Sequence, residues 1–354
     1  MLISIGILAW NEEERIAEML ASLFQQSVFF AEDADLDDMD WEIVIVPNGC
    51  SDQTENIARN YFSTHSELIQ SYNIKHAVHE LSESGKSNAW NHYIHELSSP
   101  EAELIIMIDA DIEFREPETI ANTVLALLYD HHAEVAVDMP LKDAIKKSHN
   151  SLIEKISIQS SYVALSGRVA IAGSFYCARS EILRKIWMPK GLSGEDGFLK
   201  AMVITNCFRE PEDETKVIRV DNASHYYETL NNVFQIFRHE VRLVIGTSVN
   251  SYLTWDFLKF AVDPNGPGAG TLIRNRVMAD PDWYEKFITN SIRNRGFWVL
   301  PKGMLFRRFK KLMSNDDIGL AKKLSVATLG LLIDLPIFLA ANYLLKSKKA
   351  IGYW

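Results

Sequence analysis

Two carboxylates, Asp109 and Asp111, stand one residue apart directly after the apolar run Leu104–Ile108. Paired hard oxygen ligands in such a place suit Mg²⁺ or Mn²⁺ holding a diphosphate. Those ions often use only one or two carboxylates and complete their shell with phosphate oxygens. The spacing alone says little, because Asp-x-Asp occurs five times in the chain. Context separates this copy, which follows a strand signal immediately; the alternative is a solvated turn. A second acidic pair, Glu195-Asp196, follows Gly191-Leu192-Ser193-Gly194 and opens a helical pattern. Acids there either favour the helix N-terminus electrostatically or face a pocket as a general base, and a base must reach the proton it takes.

The elements that must position these groups alternate. Ile3–Leu8, Trp41–Val46, Ile74–Val78, Leu104–Ile108 and Glu134–Asp138 read as strands, the first, second and fourth as buried apolar runs. Helical spacing fills the gaps at 12–23, 52–61, 87–97 and 117–129, with Ser51 or Asp52 capping the second helix. This order predicts βαβ units and a mostly parallel sheet flanked by helices, an α/β fold. Ligands in such sheets bind beyond the carboxyl ends of the strands, which points to Asn11, Asn48 and Asp109. Further along, 169–178 reads as a strand or hairpin, 217–220 as a strand and 230–249 as a long helix. The run 263–270, Asp-Pro-Asn-Gly-Pro-Gly-Ala-Gly, is expected to be irregular, with Trp255 a candidate partner in a lid.

Composition narrows the function classes. Apolar residues at 47% and charged residues at 23% exclude collagen-like and wholly disordered chains. Acidic residues outnumber basic ones 47 to 36, and a net charge of −11 repels nucleic-acid backbones. Three scattered cysteines support neither a disulfide framework nor a Cys-rich zinc site and fit reduced thiols. No secretory signal opens the sequence, because Asn11, Glu12, Glu13 and Glu14 follow the first apolar run at once.

Six segments, in order over residues 3–240, resemble family 2 of the inverting glycosyltransferases, whose nucleotide-sugar-binding fold is called GT-A. Ile5 to Glu13 resembles the opening strand and its Asn-Glu turn. Val44 to Asp52 resembles the second strand and the Asp-x-Gly-Ser-Thr-Asp turn. Gly85 to Asn91 is similar to Gly-Lys-x-x-Ala-x-Asn, Asp109-Ala110-Asp111 to the metal-binding acidic motif, and Glu195-Asp196 to the Glu-Asp pair that holds the base. Gln235 to His239 is similar to Gln-x-x-Arg-Trp. The resemblance implies that Ala9, Asn11, Glu12, Asn48, Asp52, Lys86, Asn91, Asp109 and Arg238 surround the nucleotide. It implies that Asp109 and Asp111 take Mn²⁺ or Mg²⁺, Asp109 serving ribose or metal, and that Asp196 is the base with Glu195 as its alternative. His225 is implied as a third metal ligand, against a structural role; Lys86 and Arg238 add charge near the phosphates or are surface cations. Gly173 with Ser174 would let the acceptor come close. Pro47 replaces the usual acid that reads the base, so the nucleotide stays open. His239 replaces the Trp of processive polymer synthases, which favours single additions.

Leu324 to Leu345 carries one charge, Asp334, and as a helix would be about 33 Å long, near the thickness of a bilayer core. Lys322, Lys323, Lys346, Lys348 and Lys349 flank it, and Arg307, Arg308, Lys310 and Lys311 precede it. The expectation is a membrane-associating tail at 313–354, peripheral or a single span; a buried or dimer-forming helix is the alternative. With 1–225 as the catalytic domain and 226–312 as a helical acceptor-side region, the implied function is metal-dependent inverting transfer from a nucleotide sugar. Its acceptor would be a lipid-linked or membrane-proximal hydroxyl, in glycan, glycolipid or lipopolysaccharide assembly, at the cytoplasmic face. The competing readings are a membrane-anchored nucleotide-binding scaffold without turnover and a sugar-phosphate nucleotidyltransferase. A dehydrogenase is disfavoured by the absence of G-x-G-x-x-G.

Overall fold

The computed structural model describes residues 1–30, 36, 39–151, 154–155, 157–158, 168–306 and 320–347. Eight strands form one sheet: β1 (Leu2–Ala9), β2 (Asp40–Pro47), β3 (Lys75–Val78), β4 (Leu104–Asp109), β5 (Glu113–Phe114), β6 (Val135–Lys142), β7 (Phe175–Arg179) and β8 (Val217–Tyr227). Their order is β3-β2-β1-β4-β7-β6-β8-β5. The pairs β1–β2, β1–β4, β2–β3 and β6–β8 are parallel, whereas β4–β7, β6–β7 and β5–β8 are antiparallel. The sheet is therefore mixed rather than mostly parallel. Its parallel half, β3-β2-β1-β4, is the half built by the alternating segments.

Strand alternation sorts side chains between two apolar layers. On β1, Ile3, Ile5 and Ile7 join α1 (Ile16–Leu23), α2 (Thr54–Thr64) and α5 (Thr119–Tyr129). On the other face, Leu2 and Leu8 join α4 (Lys86–His92). Between them on that face lie Ser4 and Gly6, and the gap they leave holds Tyr93. The phenol of Tyr93 is 2.7 Å from Ser4 Oγ, and a Cβ at Gly6 would lie 2.3 Å from its ring. The helix expected over 87–97 changes there from α4 to a wider π turn, Tyr93–Leu97.

Beyond β7 come α6 (Ser180–Arg184), α7 (Glu195–Ile204), α8 (Val233–Leu253), α9 (Ala269–Ala279) and α10 (Trp283–Arg293), with a short α3 (Ser66–Ser71) earlier. The run 263–270 is only partly irregular. α9 begins inside it, and Gly270 packs so near α6's exit that a Cβ would come within 2.0 Å of the Lys185 carbonyl. That glycine serves close packing, not mobility. Trp255 packs edge-on against Phe208, with ring centroids 5.6 Å apart, and lines neither cavity described below.

The C-terminal helix α11 (Leu320–Lys346) corrects the expectation of a span. Among the described residues no helix is long and apolar enough to cross a membrane. Instead Asp334, Ile337, Phe338, Ala341, Asn342 and Leu345 are buried, at the spacing of one helical face, where α11 meets α8. Asn342 fixes the register: Oδ1 accepts from Val299 N at 2.8 Å and Nδ2 donates to Phe297 O at 3.2 Å. The acidic residues at 31–35 and 37–38 and the basic runs at 307–311 and 348–349 lie outside the described residues.

Candidate active site

β1, β2 and β4 run parallel, so the turns that follow them rise on one edge of the sheet. Asn11 takes the left-handed conformation with φ of 57°, which asparagine tolerates, and its Oδ1 accepts from Ser51 N at 2.8 Å. Asp52 accepts from Thr54 N and from Glu13 N, both at 3.1 Å, which ties the β1 turn to the start of α2. Burial alone would raise its carboxyl, but hydrogen bonds from Thr54 and Glu13 outweigh that and hold it low. Asn48 is buried and bridges two turns: Nδ2 donates to Ala9 O at 2.7 Å and Oδ1 accepts from Gly85 N at 3.0 Å. Asn91 is likewise committed, exchanging two hydrogen bonds with the Met188 backbone at 2.7 and 3.0 Å. These two amides brace the walls of the site through the backbone.

Lys86 stands at the first position of α4, where its chain reaches across the edge to the end of β4. Its Nζ lies 2.5 Å from Asp109 Oδ2, 3.1 Å from Gly173 O and 3.5 Å from Glu195 Oε1. Gly173 makes this meeting possible, since a Cβ there would sit 3.2 Å from Lys86 Nζ and 3.3 Å from Glu195 Oε1. Its role is to seat Lys86 against Glu195, with Asp196 Cβ 3.8 Å away. The carboxyl of Asp109 is pushed up to about 6: burial and nearby Asp111 outweigh the Lys86 ammonium. Burial would lower Lys86, but Asp109 and Glu195 raise it, so it stays charged. Asp196 is raised by burial and then by Glu195. Glu12 is pushed up to about 7 by burial, then by Asp111 and Asp109. Five carboxylates, Glu12, Asp109, Asp111, Glu195 and Asp196, thus crowd one edge, with Lys86 among them.

Lys86, Asp109, Gly173, Glu195 and Asp196 line a cavity of about 10 Å³, room for about one water. The exposed Asp111 lines a separate groove of about 280 Å³ that also holds Arg15, Lys146, Tyr226 and Tyr227. None of these four stood out in the sequence. Tyr226 and Tyr227 directly follow a singled-out histidine, the one signal available.

The trio Asp109, Asp111 and His225 is not drawn together. Among the described residues no three His, Cys, Asp or Glu side chains form a group able to hold a metal ion. His225 lies within β8 rather than after a strand ending at 220, and it is fully buried. Its Nδ1 is 2.7 Å from Asp138 Oδ2 and its Nε2 is 3.0 Å from Ser174 Oγ, so both ring nitrogens are engaged. Ser174 in turn accepts from Asp109 N at 2.9 Å through its carbonyl. Arg238 is exposed on α8, stacks over Phe234 at 5.9 Å, and lines neither the cavity nor the groove. His239 is half-buried and pushed down to about 4 by burial, then by Arg242 and Lys142.

A helix-flanked mixed sheet with an acidic, lysine-braced cluster at its strand ends defines an α/β protein with a candidate site at that edge. The model of glycosyl transferase family 2 matches residues 4–183, just over half of the chain, and the chain belongs to that family. Among curated proteins, none matches the sequence. Among solved structures, mannosyltransferase PcManGT from Pyrobaculum calidifontis, in complex with GDP-Man and Mn²⁺, is similar with a TM-score of 0.54 and 16% identity. The match covers 97% of this chain and 86% of that one. Glucosyl-3-phosphoglycerate synthase from Mycobacterium tuberculosis, in complex with Mn²⁺, UDP-Glc and phosphoglyceric acid, matches at 0.45 and 15%, over 70% and 79% of the two chains. The first likeness is one of fold; the second is too weak to add to it.

Proposed function

We propose that this family 2 glycosyltransferase moves a sugar from a nucleotide-sugar donor to a hydroxyl acceptor with inversion, using Mn²⁺ or Mg²⁺. The observation that carries the reading is the meeting of Lys86, Asp109, Glu195 and Asp196 around Gly173, beside a solvent-facing Asp111. Asp111, with Asp109, would hold the cation. Two carboxylates with phosphate oxygens are a sufficient set for a hard ion, and the crowding that raises Glu12 and Asp109 is what a cation relieves. When bound, it neutralises charge on the leaving diphosphate.

The chain's own groups do the rest. Asp196 takes the proton from the acceptor hydroxyl as that oxygen attacks the anomeric carbon and the bond to the diphosphate breaks. Attack from the face opposite the leaving group inverts the centre. A buried carboxylate with raised proton affinity is a better base than an exposed one. Lys86 keeps Asp109 ionised and oriented. Ala9, Asn11, Glu12 and Asp52 form the donor's nucleotide wall, with Asn48 and Asn91 supporting it. In this division 1–225 is the donor-binding and catalytic unit, and 226–312, which begins at Tyr226 and Tyr227, contributes to the acceptor side.

The acceptor is membrane-proximal in this reading. The outer face of α11 leaves Leu332, Leu335, Leu339 and Tyr343 exposed, and the flanking sequence is basic, a combination that suits peripheral docking on an anionic leaflet. Release of nucleoside diphosphate from a panel of nucleotide sugars, with and without Mn²⁺, tests the reaction. Activity should collapse in Asp111→Ala and Asp196→Asn, and full activity in both would sink the assignment. Sedimentation with vesicles of anionic lipid tests the docking, which Leu335→Glu with Leu339→Glu should abolish.

A further inference from the structure

The site's small cavity leaves no room for a sugar ring, whereas the groove across Asp111 does. That groove is built, not incidental. β8 pairs with β6 through Leu141–Tyr226 and Lys142–Tyr227, and with β5 through Glu113–Tyr226. The loop after β6 is stitched to the end of β8: Asp143 Oδ1 accepts from Thr229 N at 2.9 Å and Thr229 Oγ1 accepts from Ala144 N at 3.1 Å. Two tyrosine rings are thereby fixed on its wall, each backed by an ammonium, Lys146 4.4 Å from the Tyr226 centroid and Lys142 4.8 Å from that of Tyr227.

Charge decides what such a groove takes. Five carboxylates line it against three cations. Lys146 pairs with Glu113, and Lys147 with Glu154 at 2.6 Å, so neither lysine is available to a phosphate without breaking a pair. With Asp111 committed to the cation, the remaining wall sets four carboxylates against three cations and offers a phosphate no surplus positive charge. Carboxylates beside aromatic rings suit a neutral polyol. Each carboxylate oxygen accepts from sugar hydroxyls, and the C–H face of a pyranose, slightly positive, rests on the negative face of a tyrosine.

We infer that the groove lined by Tyr226, Tyr227, Lys146, Glu113, Asp143 and Asp111 is a carbohydrate subsite that holds an uncharged sugar ring of the acceptor, next to the ring whose hydroxyl reacts. This rests on the transfer reading, and it narrows the acceptor to a glycan, free or lipid-linked, rather than a small phosphorylated acid.

The test is binding to the full chain, measured by saturation-transfer NMR and calorimetry. The probes are methyl mannoside, methyl glucoside, mannobiose, cellobiose and glycerol phosphate, with UDP and GDP plus Mn²⁺ titrated separately. At least one neutral sugar should bind the wild type, and Tyr226→Ala or Tyr227→Ala should weaken it about tenfold, while Tyr226→Phe, which keeps the ring, should not. Nucleotide binding and melting temperature should be unchanged in Tyr226→Ala and Tyr226→Phe. No neutral sugar on the wild type, equal binding to both alanine variants, or preference for glycerol phosphate would overturn the inference. A sugar that binds while no nucleotide does would leave the groove standing and defeat the transferase reading; the reverse would do the opposite.

Discussion

Replacing Lys86 by Met should impair turnover in a way that alkaline pH repairs. The ammonium lies 2.5 Å from Asp109, with side-chain exposures of 35% and 23%. A fully buried pair loses about 3–5 kcal/mol when one partner goes, and an exposed pair about 0–1. A half-screened pair falls between, at about 2 kcal/mol. Asp109 already sits at about 6 with the lysine present. Without it the carboxyl rises further, so a smaller fraction of it is ionised at pH 7. Turnover that needs Asp109 ionised should then drop at pH 7 from this cause alone, by at most the roughly 30-fold that about 2 kcal/mol allows. Any further loss, from a direct Lys86–phosphate contact, is independent of pH. The assay is kcat/KM for nucleoside diphosphate release between pH 6 and 9, in wild type and Lys86→Met. The ratio of wild type to variant should shrink as pH rises through 8, because the carboxylate form returns above its pKa. A constant ratio, or no defect at pH 7, would refute the reasoning.

Three other perturbations follow from the same contacts. Asp196→Asn should lower kcat by about 10²–10⁴ with donor KM little changed, and the acid limb of the wild-type rate profile should lie above that of an ordinary aspartate because burial raises Asp196. Gly6→Ala forces a methyl into the Tyr93 ring and should destabilise by about 1–3 kcal/mol, seen as a fall of several degrees in melting temperature; an unchanged melt would mean that Tyr93 does not occupy that gap. Asp52→Ala removes the acceptor shared by Thr54 N and Glu13 N and should destabilise by about 1 kcal/mol at neutral pH. The folded pKa of Asp52 is depressed, so its contribution is present above the unfolded value near 3.9 and is lost as pH falls through the folded value. Equal losses at pH 7 and in strong acid would contradict that sign.

The parallel half of the sheet was legible because local pattern and tertiary role agree there. Leu104–Ile108 is apolar throughout and is β4 with both faces covered. Asn11, Asn48 and Asp109 fall at the carboxyl ends of its strands, because strand ends are marked by turn chemistry. The antiparallel half was less legible. β8 carries Arg219, Asp221, Asn222 and Ser224, polar residues of an irregular strand paired with β6 across a register shift, so only 217–220 read as strand and His225 was left outside. Side-chain partners were invisible for another reason. Which groups occupy Asn48, Asn91 and His225 depends on Gly85, Met188, Asp138 and Ser174, distant in sequence. The tail misled because its apolar count is real, yet one face of it serves the protein's own core; Asp334, awkward in a span, is buried against the body instead.

The central claim is that this edge binds a nucleotide sugar through a cation held at Asp111. Melting temperature with UDP, GDP, CDP and their sugars, in Mn²⁺, Mg²⁺ or EDTA, tests it on wild type and Asp111→Ala. One nucleotide should raise the wild-type melting temperature only when the cation is present, and the variant should show no such rise. A shift that survives EDTA or the Asp111→Ala change, or no shift with any nucleotide, would contradict it.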